Sequence, residues 1–343
     1  MFTEEAWKSQ EYALSQLDAD IWQLRLPLPY ALDHVNVYLI EGDDGWTFVD
    51  TGLNISAARA LWKTTLETLE IEPGKVKQIV LTHLHPDHFG LAGWLQDRLS
   101  TPETQVPVYI SLYESQRFVR FWGNINKEAW YEGLHRFFRL SGIEEERAHS
   151  ITNKSRSTGT KTRPHPTFSA IESQGTLQMG NRTWEIIHAP GHADGQMIFY
   201  DKADRLFLSG DQILMKITPN IGFWNDSERG VLQRYLDSLK ELKNYEVRVG
   251  YPGHKWLVGD WQQRIEEMFV HHDERLDTTL NVVKQKTDIT ALEVSQAVFR
   301  LNELNPQQSS FAIAETLAHL DLLEGTKTIQ REEVNGVWRY TVI

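Results

Sequence analysis

The stretch His83-Leu84-His85-Pro86-Asp87-His88 places three histidines and one carboxylate within a single short segment. It directly follows Val76–Leu81, an apolar and β-branched run that predicts a buried strand. Side chains in so tight a turn converge without long-range folding. Neutral imidazole together with carboxylate is a suitable ligand set for Zn²⁺, Mn²⁺ or Fe²⁺. The stretch therefore predicts a metal site at the end of a strand.

The segments around this stretch alternate between strand and helix patterns. Val35–Ile40 and Trp46–Val49 flank a Gly-Asp-Asp-Gly turn and predict a β-hairpin that ends at Asp50-Thr51-Gly52. Ile55–Leu69 carries apolar residues at helical spacing, and a second helix is expected over Leu91–Leu99. The histidine-rich turn is thus expected to lie between a strand and a helix.

Further strands are expected later in the chain, at Val106–Ile110, Thr183–Ile187, Gln196–Tyr200, Arg205–Ser209 and Glu246–Val249. Three potential ligands follow the ends of these strands: His192, Asp211 and His254. The same kind of chemistry is therefore expected at several strand ends.

The pattern changes near Gly259. Helices are predicted at Trp261–Lys284, Ala291–Arg300 and Phe311–Leu323, and a final hairpin turns at Asn335-Gly336. The last helix has a core stripe at helical spacing, formed by Ile313, Leu317, Leu320 and Leu323. We expect a catalytic domain over residues 1–258 and a small helical domain with a β wing over residues 259–343.

Composition limits the classes of partner. The net charge of −12 argues against general attraction to nucleic acid or to an anionic membrane. The chain has no Cys, so it has neither disulfides nor thiolate ligands, and a metal must be bound by His and carboxylate. No secretory signal or membrane span is predicted, which favours a cytoplasmic protein.

The chain resembles the metallo-β-lactamase superfamily in five ordered motifs over about residues 30–258. These are Asp50-Thr51-Gly52, His83-Leu84-His85-Pro86-Asp87-His88, Gly191-His192, Ser209-Gly210-Asp211 and Pro252-Gly253-His254. The resemblance implies an α+β fold, an αββα sandwich with two metal ions at one edge of its sheets. The helices and wing after residue 258 resemble the winged-helix-like appendage of superfamily hydrolases such as the group similar to β-lactamase-like protein 2.

The resemblance also implies roles for single residues. His83, His85 and His192 would bind one metal ion, Asp87, His88 and His254 would bind the other, and Asp211 would bridge them. Asp50 would orient a ligand or the turn below the site, although a plain strand-end cap explains it equally well. A water shared by two such ions loses its proton near neutral pH and becomes a hydroxide nucleophile. Asp87 would accept or return a proton, so Asp87 and Asp211 are the expected catalytic residues.

An insert over about residues 111–170 bears on the substrate. Its aromatic residues, among them Phe121 and Trp122, form either an apolar roof over the metal ions or the cores of ordinary helices. Its polar loop, residues 153–166, lies in a locally basic region and is either a solvated mobile loop or a site for an anionic ligand. The residues expected to contact substrate are Phe121, Trp122, Lys161, Arg163, His165, Phe223 and Trp224.

These features predict a dinuclear metal-dependent hydrolase, with zinc as the expected metal, that cleaves an ester-like bond. A thioester of coenzyme A or glutathione is the expected substrate, in the manner of hydroxyacylglutathione hydrolase relatives. The alternatives are a lactonase, a phosphodiesterase or nuclease, and a non-catalytic or redox metal-binding protein. The last predicted helix carries acids and no Lys or Arg, so it is expected to serve packing or a homodimer rather than nucleic-acid binding.

Eight histidines lie outside the motifs, and each is expected to be structural or on the surface, with His165 the one to test as a substrate contact. They are His34, His135, His149, His165, His188, His271, His272 and His319.

Overall fold

Two β-sheets packed face to face form the centre of the molecule. The computed structural model describes residues 13–121, 127–299 and 305–343. The strands are β1 Leu14–Asp18, β2 Ile21–Pro27, β3 His34–Gly42, β4 Gly45–Val49, β5 Val76–Val80, β6 Val108–Ser111, β7 Phe168–Ile171, β8 Gly175–Met179, β9 Arg182–His188, β10 Met197–Asp201, β11 Leu206–Gly210, β12 Val249–Pro252, β13 Ile289–Thr290, β14 Ile329–Val334 and β15 Val337–Val342. The helices are α1 Ser56–Thr68, α2 Pro86–Phe89, α3 Ala92–Leu99, α4 Leu112–Phe121, α5 Lys127–Leu140, α6 Glu145–Gly159, α7 Val231–Leu242, α8 Trp261–Gln285, α9 Ala291–Phe299 and α10 Pro306–Gly325.

The first sheet has seven strands in the order β1 to β7, and the second has five in the order β12-β11-β10-β9-β8. Strands β4 to β7 run parallel to one another, as do β11 and β12. Parallel strands end at the same edge of a sheet, so the turns that follow β4, β5, β11 and β12 lie along shared edges. This topology determines where the polar residues at the strand ends meet.

Three apolar layers hold the sheets and helices together. Val80, Trp184 and Phe199 belong to the layer between the two sheets. Helices α1 and α3 cover the outer face of the first sheet, where Trp62 of α1 packs on Phe48 with ring centroids 5.0 Å apart. Helices α7 and α8 cover the second sheet. The order helix, sheet, sheet, helix confirms the αββα fold expected from the resemblance.

The insert differs from its prediction. Residues 153–166 were expected to form a polar loop, but α6 continues to Gly159 and a 3₁₀ turn, Thr160–Thr162, follows it. The helix is stabilised on its apolar side, where Ala148 and Ile151 are buried against the core of the last helices. Tertiary packing therefore overrides a polar local sequence, and the prediction of a loop was wrong for residues 153–162 and correct for residues 163–166.

The last helices form a further apolar core with the insert. Ile313, Leu317, Leu320 and Leu323 of α10 are buried there, as the stripe predicted. The prediction missed the burial of the other sides of α10, where Ala318 packs in the core of the second sheet. Helix α10 is thus enclosed between two cores, which accounts for its acidic residues being partly buried rather than solvated.

The C-terminal region ends in a small sheet of the order β13-β15-β14, and its hairpin turns at Asn335 and Gly336 as expected. Among the described residues, none of the helices combines the length and apolar character needed to cross a membrane.

Candidate metal centre

Backbone contacts bring the strand ends of both sheets to one place. The amide of Met197 in the second sheet donates to the carbonyl of Thr82, which follows β5 of the first sheet, at 2.9 Å. Gly253 donates to the carbonyl of Gly210 at 2.8 Å, and Asn36 donates to the carbonyl of Gly253 at 2.7 Å. The histidine-rich turn after β5 therefore faces the turns that follow β9, β11 and β12.

Seven side chains with potential ligand atoms converge at this edge. They form overlapping groups whose atoms lie within 4.8 Å of one another: His83, His85 and His192; His83, His88 and Asp211; and Asp87, His88 and His254. Asp211 lies between the outer groups, with Oδ2 at 3.4 Å from His192 Nε2 and at 3.2 Å from His254 Nε2. The structure thus brings together all seven side chains that the motifs singled out.

The inward-facing atoms of this cluster lack ordinary partners. Within the described part of the chain, the buried Nε2 atoms of His83, His88 and His192 have no hydrogen-bond partner. The same holds for Oδ1 of Asp211. Buried polar atoms without partners are costly, and bound divalent cations would satisfy them. The donor set of imidazole and carboxylate therefore fits such ions.

The opposite ring nitrogens are held by the protein. Nδ1 of His88 donates to Asp50 Oδ2 at 2.7 Å, Nδ1 of His254 to the carbonyl of His34 at 2.8 Å, Nδ1 of His83 to Thr82 Oγ1 at 2.9 Å, and Nδ1 of His192 to the carbonyl of Asn220 at 3.0 Å. A proton on Nδ1 leaves the lone pair of Nε2 directed into the centre. These contacts fix both the ring orientation and the tautomer that binding requires.

Asp50 anchors the turn that carries the ligands. Its buried carboxylate accepts from the amide of Thr82 at 2.8 Å and from the Thr82 hydroxyl at 2.9 Å, in addition to His88. The backbone of Asp50 has a φ of 62°, in the left-handed region that aspartate tolerates better than most residues. Asp50 thus makes two contacts to Thr82 of the turn and one to His88, which a simple strand-end cap does not explain.

Charge within the cluster divides the histidines into two kinds. Burial, followed by the neighbouring His88, holds the pKa of His83 well below its usual value. Burial also opposes the charged form of His88, but the carboxylates of Asp211 and Asp50 outweigh it and raise the pKa of His88 well above its usual value. Burial would raise the pKa of Asp211, but its histidine neighbours, His254 first, lower it strongly. His83 is therefore neutral, the form that binds cations.

Asn220 links His192 to the C-terminal region, and the sequence carried no signal for it. Its carbonyl accepts from His192, while its side-chain Nδ2 donates to Glu315 Oε2 at 3.1 Å and to the carbonyl of Phe311 at 3.2 Å. Both acceptors belong to α10. A helix from the last part of the chain therefore supports a side chain of the candidate centre.

Glu114 is a second residue that the sequence analysis missed. Its buried carboxylate accepts from the amide of Leu84 at 3.3 Å and from the amide of Gly195 at 3.0 Å. Leu84 lies between His83 and His85, and Gly195 follows His192. Glu114 therefore joins two of the turns that carry potential ligands, and burial raises the pKa of its carboxyl group.

The basic residues proposed as substrate contacts lie beside the histidine-rich turn. The 3₁₀ turn packs on α2, and the carbonyl of Lys161 accepts from the amide of Asn54 at 3.0 Å. The ammonium of Lys161 lies 5.7 Å from the ring centroid of Tyr30. Arg163 is exposed, and its carbonyl accepts from Asn54 Nδ2. His165 packs among aromatic rings, 5.0 Å from Phe118.

The aromatic residues of the insert mainly form cores. Tyr131, Phe137 and Phe138 are buried, so their apolar character is explained by core packing and does not require a roof over the centre. Phe223 and Trp224, in the loop that contains Asn220, pack against the insert and α10 through Phe137 and Phe311, with centroids 6.4 and 6.0 Å apart. Trp122 and the side chain of Phe121 lie outside the described residues.

Two family models match the chain. The model described as the metallo-beta-lactamase superfamily matches residues 30–254. The model described as the metallo-beta-lactamase-like, C-terminal domain matches residues 276–343. The first covers most of the two large sheets and every residue of the candidate centre.

Similar proteins include enzymes and solved structures. A probable metallo-hydrolase of Bacillus subtilis, YqjP, is 27% identical over 90% of this chain and 94% of its own length. The crystal structure of a metallo-beta-lactamase family protein from Thermus thermophilus is 33% identical, with a TM-score of 0.83 over 96% of this chain and 100% of that chain. An atrochrysone carboxyl ACP thioesterase of a Cryptosporiopsis species is 22% identical over 76% of this chain and 61% of its own length.

Proposed function

The chain belongs to the metallo-beta-lactamase superfamily, and from this we propose that it is a hydrolase that uses two divalent metal ions to cleave a thioester of an anionic carrier. The proposal is carried by one observation, the convergence of seven ligand side chains whose inward atoms lack partners. In this assignment His83, His85 and His192 would hold one ion and Asp87, His88 and His254 the other. Asp211 would serve both, and zinc is the expected metal.

Bound cations would supply an activated water and an electrophile that polarises the scissile carbonyl. The protein's own contribution is to hold the ligands and to move protons. Asp50 and the backbone acceptors keep the imidazole Nε2 atoms directed inward, which limits reorganisation during the reaction. Asp87 is the more exposed of the two central carboxylates, so it is the group proposed to accept a proton and return it to the leaving thiolate.

The charge of the carrier is inferred from Lys161 and Tyr30. Burial raises the pKa of Tyr30, and the negative charge of Asp87 contributes to the same shift. The 3₁₀ turn that contains Lys161 packs on α2, the helix that contains Asp87. Lys161 lies over the ring of Tyr30. A cation in that position would attract the phosphates of coenzyme A or the carboxylates of glutathione. The similarity to a thioesterase supports the choice of bond.

We also propose the division of the chain into a catalytic domain over residues 1–258 and a C-terminal domain over residues 259–343. The match of a separate family model to residues 276–343 supports this division. The long helix α8 would join the two domains, since its Ile265 packs in the core of the second sheet and its Val283 in the core of the last helices.

The substrate is tested with metal-loaded protein and matched pairs of compounds. Acyl-coenzyme A and S-acylglutathione are compared with the same acyl group on N-acetylcysteamine, which keeps the thioester and removes the charges of the carrier. We expect the charged thioesters to be cleaved with the higher kcat/KM. Lys161→Ala should raise KM for the charged substrates several-fold and leave the neutral one unchanged, whereas Lys202→Ala, in an exposed turn, should change neither.

Two further measurements complete the test. Removal of metal by a chelator, or the substitution Asp211→Ala, should abolish turnover and metal content together. Faster hydrolysis of an acyl-lactone or of bis(p-nitrophenyl) phosphate would replace the thioester proposal with a lactonase or a phosphodiesterase. Full turnover by metal-depleted protein would rule out a metal-dependent mechanism altogether.

A further inference from the structure

A second group of potential metal ligands lies in the helical insert, apart from the candidate centre. It consists of His135 on α5 and of Glu145 and His149 on α6, and we refer to these three residues as the insert cluster. Oε1 of Glu145 lies 3.2 Å from Nε2 of His135 and 3.0 Å from Nε2 of His149. All three ligand atoms lie within 4.8 Å of one another.

The local fold fixes the positions of these residues. Glu145 and His149 are four positions apart on α6, so they occupy the same face of the helix. Helices α5 and α6 are joined by a short turn in which Gly142 adopts a φ of 95°. Phe138 and Ala148 are buried in the common core of the two helices. The imidazole of His135 is thereby brought beside that of His149, with ring centroids 4.3 Å apart.

Nε2 of His135 lies close to other side chains of the insert cluster but makes no hydrogen bond to them. This nitrogen is buried and has no hydrogen-bond partner among the described residues, although the carboxylate oxygen is 3.2 Å away. The candidate centre shows the same arrangement, where Nε2 of His192 lies 3.4 Å from Asp211 and is also without a hydrogen bond. In both places a histidine nitrogen lies near a carboxylate oxygen without a hydrogen bond to it, as expected where both atoms are placed to bind a cation.

The spacing suits a tetrahedral cation. Ligand atoms about 2.0–2.2 Å from zinc are about 3.3–3.6 Å apart along the edges of a tetrahedron, a little longer than the 3.2 and 3.0 Å in the insert cluster. Arg139 contacts the carboxylate through its other oxygen, Oε2, at 3.1 Å, which leaves Oε1 available. The side chains of Glu145 and His149 are 61% and 62% exposed, so a cation has access from solvent.

We propose that His135, Glu145 and His149 bind a divalent cation of the zinc class and that this ion ties α5 to α6. The fourth position would be open to water. This assigns His135 and His149 a role that the sequence analysis did not expect, since both were interpreted as structural or surface residues. The site is separate from the catalytic proposal, and its test does not depend on hydrolysis.

The experiment measures zinc per chain by equilibrium dialysis of chelator-stripped protein against buffered zinc. The variants are His135→Ala, Glu145→Gln and His149→Ala, and the matched control is Glu146→Gln, which removes a carboxylate from the neighbouring position of the same helix. We expect the wild type and the control to bind one more zinc ion per chain than each cluster variant. Arg139→Ala should keep that ion and bind it more tightly, since a competing cation is removed.

Substitution of Co²⁺ for zinc gives a second readout. The visible d–d bands of the wild type minus those of His149→Ala should have the intensity of a low-coordinate site. Equal zinc content in the wild type and all three folded cluster variants, as judged by circular dichroism in chelator, would overturn the proposal. In that case the insert cluster and Arg139 form only charge-assisted contacts around the Glu145 carboxylate.

Discussion

Single residues at the centre are constrained by space as much as by chemistry. Gly253 precedes His254 and lies against the other ligands. A Cβ atom at this position would lie 2.2 Å from Asp211 Oδ1 and 2.8 Å from Cε1 of His88. Real Cβ atoms do not approach so closely, so any larger residue must displace the carboxylate proposed to contact both metal ions.

We therefore expect Gly253→Ala to lower metal affinity by roughly 10–100-fold, the range typical of disturbed ligand support. Gly259→Ala is the matched control, because a Cβ atom there meets nothing within 4 Å. Metal affinity is measured by competition with a chromogenic chelator. Unchanged affinity in a folded Gly253→Ala protein would show that the pocket around Asp211 adapts more freely than this packing allows.

At the scale of elements, α10 acts on the centre through a short relay. The Glu315 carboxylate is largely buried and accepts from Asn220, whose carbonyl in turn accepts from His192. Phe223 in the same loop donates through its amide to the carbonyl of Ala314 at 2.9 Å. The loop that supports His192 is thus fixed on a helix that follows the catalytic sheets in sequence.

Removal of the Glu315 carboxylate should make the His192 ring more mobile without replacing any of the proposed metal ligands. We expect Glu315→Ala to weaken metal binding by up to roughly 10-fold, at the lower end of the effect of outer contacts. Glu315→Gln should restore most of the affinity, since its amide oxygen can still accept from Asn220. Metal affinity is again the measurement, together with the NMR signal of the His192 ring. Equal affinities of both variants and the wild type would mean that Asn220 is held by its backbone alone.

The predicted strands and helices agree best with the structure where tertiary packing follows the local pattern of apolar residues. Strands β3, β4 and β5 and helices α1 and α3 lie within a few residues of their predicted bounds. Strands β1 and β2 were not predicted, and β12 begins at Val249, where the predicted strand ends. The polar stretch after Asn153 is helical because it continues a helix whose apolar residues Ala148 and Ile151, just before it, are buried in a distant core. Local periodicity does not contain that information.

At the scale of the whole molecule, two buried histidines connect α8 to α10. Nδ1 of His272 lies 3.3 Å from Nε2 of His319, and His319 Nδ1 donates to the carbonyl of Glu315 at 2.8 Å. Burial, with the neighbouring ring, lowers the pKa of His272 to about 3, and burial lowers the pKa of His319 to about 4. Both rings are therefore neutral in the folded protein at neutral and mildly acidic pH.

The sign of the resulting pH dependence follows from linkage. As the pH falls below about 6.5, His272 and His319 become protonated in the unfolded chain. In the folded chain they become protonated only near pH 3 and pH 4, so the unfolded state binds more protons between these pH values and stability falls. We expect the free energy of unfolding of metal-free protein to fall by on the order of a few kcal/mol over this window. Urea midpoints at a series of pH values measure it.

His319→Leu should flatten that decline, because one of the two protonation penalties is removed. The control is His188→Gln, at an exposed position outside the pair, which should leave the slope unchanged. An equal slope in His319→Leu and the wild type would assign the acid sensitivity to other groups, such as the histidines of the candidate centre.

The amino-acid order alone was enough to predict the family, the sandwich and the set of seven converging side chains. The motifs are local, since each ligand lies shortly after the end of a strand, and the resemblance to a known family grouped them into one site. Asp50 was expected from the sequence to orient a ligand, but the other residues that support the ligands became visible only in the folded chain. Asn220 and Glu315 are 95 positions apart, and the insert cluster joins two helices whose histidines look ordinary in the sequence. Contacts of this kind depend on how helices pack on distant cores, and no spacing along the chain encodes that packing.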